Sequence, residues 1–336
     1  MLAWYDAHRR DMPWRRTREP YPVWLSEVML QQTQVATALP YYDAFLARFP
    51  TLADLARARP AEVLAAWAGL GYYRRARHLH EAARVVMREH AGRVPADPDA
   101  FGRLPGVGRY TRGAVLSICF DRPMAVLDGN VARVLSRWFA LPVAIRDPRG
   151  ARQLWALAES LVSMRRPGDW NQAVMELGAT ICTPRAPACD ACPVQAGCRA
   201  HALGRVAEFP RVAPRRATEI VRHVVVLIER RGRVLMTRRE GALLAGLWEP
   251  PGVELARGAA ALPALRVALA ALGLRARLTD GRRRVRHAIT HRAITAEVWS
   301  GELEGDAPRT ARLRWVDPRR PRVPLTALAR KLTRTE

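Results

Sequence analysis

From Ser26 to about Arg93, apolar residues such as Val28, Leu30, Val35, Leu39 and Phe45 recur at mixed three- and four-residue steps. That spacing turns one face of an α-helix toward a core. Breaks are expected at Pro50, Pro60 and Gly69-Leu70-Gly71, because proline removes a helical donor and glycine leaves the helical basin readily. The pattern continues from Thr111 to Cys119, Gly129 to Ala140 and Ala151 to Gly178, so residues 1–205 read as one all-helical domain. Phe209-Pro210-Arg211-Val212-Ala213-Pro214-Arg215-Arg216 then reads as an exposed linker, set at residues 206–219. Beyond it the period changes to two. Val221 to Ile228 is a β-branched run, Arg233 to Thr237 is placed to pair with it across Arg230-Arg231-Gly232, and Ile289 to Trp299 alternates as a strand. With Leu262 to Leu272 as a helix, residues 220–336 make a smaller α+β domain behind a mainly α first domain.

Charge narrows the class of partner. The chain of 336 residues carries 55 Lys and Arg against 31 Asp and Glu, a formal +24, and both predicted domains are net basic. An excess of this size favours a polyanion, above all nucleic acid. All these cations but Lys331 are arginine. No run of about 18 apolar residues is present, and Met1-Leu2-Ala3-Trp4-Tyr5-Asp6 lacks the pattern of a secretory signal, so the expected setting is cytoplasmic, without membrane contact.

Three local patterns carry chemistry. Cys182, Cys189, Cys192 and Cys198 gather four thiols within a 182–198 loop, which suits a metal centre better than a disulfide framework; the spacing alone admits tetrahedral zinc or an iron-sulfur cluster. Cys119, in the apolar run Ala114 to Phe120, reads as core. In the 104–111 segment, Leu104-Pro105-Gly106-Val107-Gly108 lies between helical stretches, and its two glycines let backbone N–H groups approach a phosphate at the start of the next helix. Asp128, in Leu127-Asp128-Gly129-Asn130, follows some twenty residues later at a helix start, where it reads either as a cap or as a reactive carboxylate. Glu27 is a lone acid among apolar and amide residues, where desolvation raises a carboxyl pKa and favours the proton-donating form.

Taken in order, Ser26 to Val35, Gly69-Leu70-Gly71-Tyr72-Tyr73, the glycine hairpin, Asp128 and the four cysteines resemble the MutY adenine glycosylases of the endonuclease III superfamily. The resemblance implies a helix-hairpin-helix glycosylase domain in base excision repair. Its implied partner is double-stranded DNA with adenine opposite 8-oxoguanine or guanine, bound by a monomer in a bacterial cytoplasm and nucleoid. It implies a [4Fe-4S] cluster on the four cysteines. It makes Glu27 the acid that protonates the extruded adenine and Asp128, with Asn130 beside it, the group that meets the cationic sugar. Gln32 takes the place of an amide wedge, Tyr72 of an intercalated aromatic, and Trp14 and Gln172 of parts of the adenine pocket. Tyr110 stands where bifunctional relatives carry a Schiff-base lysine, so a monofunctional enzyme is expected.

The second domain resembles a MutT-like (Nudix) fold. Gly252 to Leu274 keeps Gly252, Arg266, Gly273 and Leu274 of the Nudix box but has Gly258, Val267, Ala270 and Ala271 where its four glutamates stand. Divalent-cation hydrolysis of pyrophosphates is therefore not expected. Ile289-Thr290-His291 takes the place of the family's lesion-reading Phe-Ser-His loop, with Thr290 and His291 as candidate contacts. Rival readings are an endonuclease III-like glycosylase-lyase, which needs the missing lysine, a non-catalytic DNA-binding protein, and a nucleotide pyrophosphatase.

Overall fold

The computed structural model describes residues 1–144, 146–211, 217–241 and 244–334, with backbone alone at 282. The chain divides into two compact units, residues 1–57 with 75–214 and residues 58–74 with 215–336. Among the described residues no helix is long and apolar enough to cross a membrane.

Helices come first: α1 (Leu2–His8), α2 (Pro20–Leu30), α3 (Val35–Arg48), α4 (Leu52–Arg57), α5 (Pro60–Ala66), α6 (Arg74–Glu89) and α7 (Pro98–Gly102). They are followed by α8 (Arg109–Phe120), α9 (Gly129–Trp138), α10 (Pro148–Leu161), α11 (Pro167–Thr180) and the short α12 (Arg199–Ala202). Prolines start α2, α5, α7, α10 and α11, where a missing N–H costs nothing. The expected helical stretch from Ala151 to Gly178 is two helices, because Pro167 opens a new one after the break at 162–166. Conversely, Pro40 lies inside α3 without ending it.

The core of the first unit forms where α8, α9, α10 and α11 meet, around Ala114, Val131, Leu135, Leu154, Val174 and Leu177. Helix α11 comes close to the start of α9 because residue 178 is glycine: a Cβ there would lie 2.7 Å from the Cβ of Asn130. Cys119 is only partly buried. Phe209, expected on an exposed linker, is buried, and its carbonyl accepts from Arg137 Nε at 3.0 Å. Residues 212–216 of that expected linker lie outside the described residues.

The second unit is built on a mixed sheet with β1 (Glu219–Arg230), β2 (Arg233–Arg238), β3 (Trp248–Glu249) and β4 (Gly252–Leu255). After α13 (Ala261–Ala270) come β5 (Ala276–Ile289), β6 (Arg292–Leu303), β7 (Leu313–Val316) and α14 (Ala327–Leu332). The main path runs β3-β2-β1-β6-β5, with β4 on β1 and β7 on β2, and β1 and β6 are parallel. Alternation along β1 separates two cores: Val224, Val226 and Ile228 pack with Leu265 and Leu269 of α13, and Val225 packs with Leu328 and Leu332 of α14. The expected β1–β2 pairing across Arg231-Gly232 is present, at Glu229↔Val234 and Arg230↔Arg233. The expected strand from Ile289 to Trp299 is interrupted: Ile289 ends β5, Thr290 and His291 turn, and Arg292 opens β6.

Candidate active site

Helix α2 is apolar on almost every side, with Val23, Trp24, Leu25, Val28 and Met29 buried, and Glu27 is carried into that setting at 6 % exposure. The Tyr110 hydroxyl on α8 donates to its Oε2 at 2.8 Å. Burial pushes the Glu27 carboxyl up to about 7; the Tyr110 hydrogen bond and Arg15 pull down, and the nearby Asp128 charge pushes up. Burial also raises the Tyr110 phenol well above its usual range.

Asp128 caps α9. Its carboxylate accepts from the Val131 N–H at 2.7 Å and from Asn130 Nδ2 at 3.1 Å, so the capping and reactive readings describe the same side chain. Burial raises this carboxyl too, against the pull of the Val131 and Asn130 donors and of Arg133. Glu27 has one donor and Asp128 several, which makes Glu27 the member of the pair that holds a proton more readily. Asn130 is itself fixed, its Oδ1 accepting from Arg133 Nη2 at 2.8 Å.

Both carboxyls open on one cleft of about 720 Å³. Trp14, Gln32 and Gln172 line it, as do Gly106, Gly108, Tyr110 and Asn130. In the hairpin ahead of α8 the two glycines differ. Gly106 has φ +77° and sits against His78, where a Cβ would come within 2.5 Å. Gly108 caps α8 on ordinary extended backbone with open space where a Cβ would be, which leaves the helix N-terminus approachable by an anion.

Other expected site residues lie elsewhere. Tyr72 and the 290–291 turn belong to the second unit. Tyr72 is 44 % exposed at φ +47°, in a loop tied by Trp67 Nε1 donating to the Gly71 carbonyl and by the Gly69 N–H donating to the Tyr73 hydroxyl. Thr290 holds φ +57° at the hairpin tip, a strained setting for a β-branched residue, with His291 beside it.

The four cysteines line a separate small apolar pocket with Arg137 and Ile181. Among the described residues no group of three or more His, Cys, Asp or Glu is gathered to hold a metal ion. A tetrahedral zinc needs all four sulfurs about 2.3 Å from one centre. Four thiols around one small pocket suit a metal centre, whether a zinc ion or an iron-sulfur cluster. The buried Arg137 supports that fit: it donates to the Thr183 and Pro184 carbonyls and to Cys182 Sγ, with no carboxylate partner among the described residues. Anionic thiolate ligands would balance its charge.

Two residues of this region carry no expectation from the sequence. Arg75 donates to the carbonyls of Val28, Met29 and Gln31 at 2.8, 2.7 and 2.6 Å, closing the C-terminal end of α2 just after Glu27. Glu176, 1 % exposed, receives Arg10 and Arg15. Its sequence signal is close to that of Glu27, an acid with apolar neighbours, four residues after Gln172.

Residues 25–159 match the HhH-GPD superfamily of base excision DNA repair proteins, and residues 223–335 match the NUDIX domain. The chain is 40% identical to the adenine DNA glycosylase of Rattus norvegicus, spanning 94% of this chain and 73% of that protein. It is 39% identical to that of Homo sapiens, spanning 92% and 67%. The chain belongs to the MutY family of adenine DNA glycosylases. The solved structure of a thermostable thymine-DNA glycosylase shares 34% identity at a TM-score of 0.55, covering 60% of this chain and 93% of that one. The HhH-GPD match takes in Glu27, the hairpin, Tyr110, Asp128 and Asn130; Trp14, Gln172 and the cysteines of this MutY-family chain fall outside it.

Proposed function

We propose that this adenine DNA glycosylase removes adenine paired with 8-oxoguanine or guanine in duplex DNA, working as a monomer in the cytoplasm and leaving an intact abasic strand. The observation that carries the reading is the cleft in which a neutral-poised Glu27, hydrogen-bonded to Tyr110, shares space with Asp128.

Adenine must leave the base stack to reach such a cleft. Trp14 and Gln172 line the space for the base, and Gln32, held at φ +58° after α2, stands at its rim. Glu27 gives its proton to a ring nitrogen of adenine, the C1′–N9 bond breaks, and its electron pair leaves with the base. Asp128 meets the positive charge on the sugar, electrostatically or as a transient ester. Water then adds at C1′ and surrenders a proton to Glu27. The α8 N-terminus behind Gly108 holds a phosphate of the target strand. Tyr110 occupies the lysine position, and among the described residues lining the cleft there is no lysine to act as an amine nucleophile.

Tyr72, Thr290 and His291 are assigned to the base opposite adenine: an exposed aromatic for stacking, and a hydroxyl and imidazole at a hairpin tip for hydrogen bonds. Cys182, Cys189, Cys192 and Cys198 would hold a [4Fe-4S] cluster. When bound, the cluster supplies a rigid anchor for the 182–198 loop and takes no part in base release.

Single-turnover release from a duplex with adenine opposite 8-oxoguanine, with and without alkali, tests the reading. Wild type should release adenine and show strand breaks only after alkali, while Glu27→Gln and Asp128→Asn should bind the duplex and release little. Binding with no release by wild type, or release indifferent to both substitutions, would overturn it.

A further inference from the structure

Glu176 sits on α11, one turn after Gln172, and lines the same cleft as Glu27. It is almost wholly buried and fully engaged. Arg10 donates to it three times, from Nε at 2.6 Å, Nη2 at 2.9 Å and its backbone N–H at 3.1 Å; Arg15 Nη2 donates at 2.8 Å. Arg15 is steered further by Nη1 donating to the Arg10 carbonyl at 3.0 Å and by lying over the Tyr5 ring. The Pro13–Arg15 turn that carries Trp14 is thereby tied to α11 across more than 160 residues of sequence.

Arg15 also lines the cleft, near enough to Glu27 to act on its charge. An arginine beside an acid that must donate a proton is a hazard, since an ion pair would hold that acid ionised. We propose that Glu176 is a positioning residue for Glu27: by taking Arg10 and Arg15 onto its own carboxylate, it denies Glu27 an arginine partner and keeps it a proton donor. This rests on Glu27 being the acid of base release. The charged and titratable groups that face Glu27 are Arg15 on the N-terminal turn, Tyr110 and Cys119 on α8, Asp128 ahead of α9 and, behind Arg15, Glu176 on α11. Of these, Arg15 and the Tyr110 hydrogen bond favour the ionised form; Asp128 opposes it.

The sign of the effect follows. Release requires protonated Glu27, so the rate falls as pH rises through the Glu27 pKa. Removing the Glu176 charge leaves Arg15 uncompensated or free to pair with Glu27, and either change lowers that pKa. The alkaline limb of the rate profile should move acidward by about 1 unit in Glu176→Gln. The loss would then be about tenfold at pH 8 and small at pH 5.5.

The experiment is the pH profile of single-turnover adenine release for wild type, Glu176→Gln, Glu176→Asp and the double variant Glu176→Gln/Arg15→Gln, with duplex affinity measured alongside. The inference expects the limb to return toward its wild-type position in Glu176→Asp, which restores the charge, and in the double variant, which removes the arginine. A uniform loss at every pH with the limb unmoved would mean that Glu176 is merely structural and would sink the inference. If Glu176→Gln fails to fold, the double variant and Arg15→Gln alone still decide it: Arg15→Gln should move the limb alkaline, and no movement overturns the proposal. A wild-type profile with no alkaline limb, or a limb that survives in Glu27→Gln, would instead defeat the assignment of Glu27 itself.

Discussion

Two buried glutamates open on one cleft and are driven in opposite directions. Glu27 has a single phenolic donor and is pushed up to about 7; Glu176 receives two guanidinium groups and is held down at about 2, although burial alone would raise it. Solvent exposure is nearly the same, 6 % and 1 %. Partners therefore separate two carboxyls that are alike in solvent exposure. The cleft uses both results: one carboxyl is left able to give a proton, and the other is committed to holding cations.

The contrast breaks most directly in the rates. Glu27→Gln keeps size and polarity but has no proton to give, and should lower adenine release about a thousandfold with duplex affinity nearly retained. A loss at pH 5.5 as large in Glu176→Gln would erase the distinction.

Stability should separate the two next, and with opposite slopes. A carboxyl whose pKa is raised on folding binds more protons folded than unfolded, so Glu27 costs stability progressively as pH rises from about 4.5 to about 7. Glu176, depressed to about 2, contributes stability that is complete above about 4.5 and is lost as pH falls toward 2. Urea titrations across pH should show Glu27→Gln flattening the first slope, by up to about 3 kcal/mol. Glu176→Gln should flatten only the second. Identical pH dependence in both variants would refute the assignment.

The smallest effect concerns the phenol. Its hydrogen bond favours the ionised form of Glu27, so Tyr110→Phe should move the alkaline limb of the rate profile further alkaline, with a change of only a few-fold at pH 7. An acidward movement would show that the phenol stabilises the protonated carboxyl instead.

Much of this site is legible in sequence because its signals are local. Gly106 and Gly108 share one turn, Asp128 caps the helix that follows it, and Glu27 betrays itself by its apolar neighbours. Glu176 carries a similar local signal, yet its meaning comes from Arg10 and Arg15, whose proximity only the packing of the N-terminal turn on α11 creates. The cysteines are adjacent in sequence, while the buried Arg137 that joins them comes from α9. In the second unit, Thr290 looks like any β-branched strand residue, and the strand expected from Ile289 to Trp299 therefore crosses the hairpin tip. Most of β5 has no strand signal in the sequence because its arginine-rich centre lacks the alternation of a half-buried strand, and its register shifts there, between Asp280 and Arg283. The proline and arginine neighbours of Phe209 point to an exposed linker, and tertiary contact with Arg137 overrides that context.

The capping role of Asp128 shapes how this protein fails. Asparagine caps a helix about as well as aspartate, so Asp128→Asn should preserve the start of α9 and the cleft around it while removing the charge proposed to meet the sugar. Such a chain is more than an absent enzyme. On the proposed mechanism it would bind its duplex and release no base, so in a cell holding both forms it would shield the site from the working copy in proportion to its abundance.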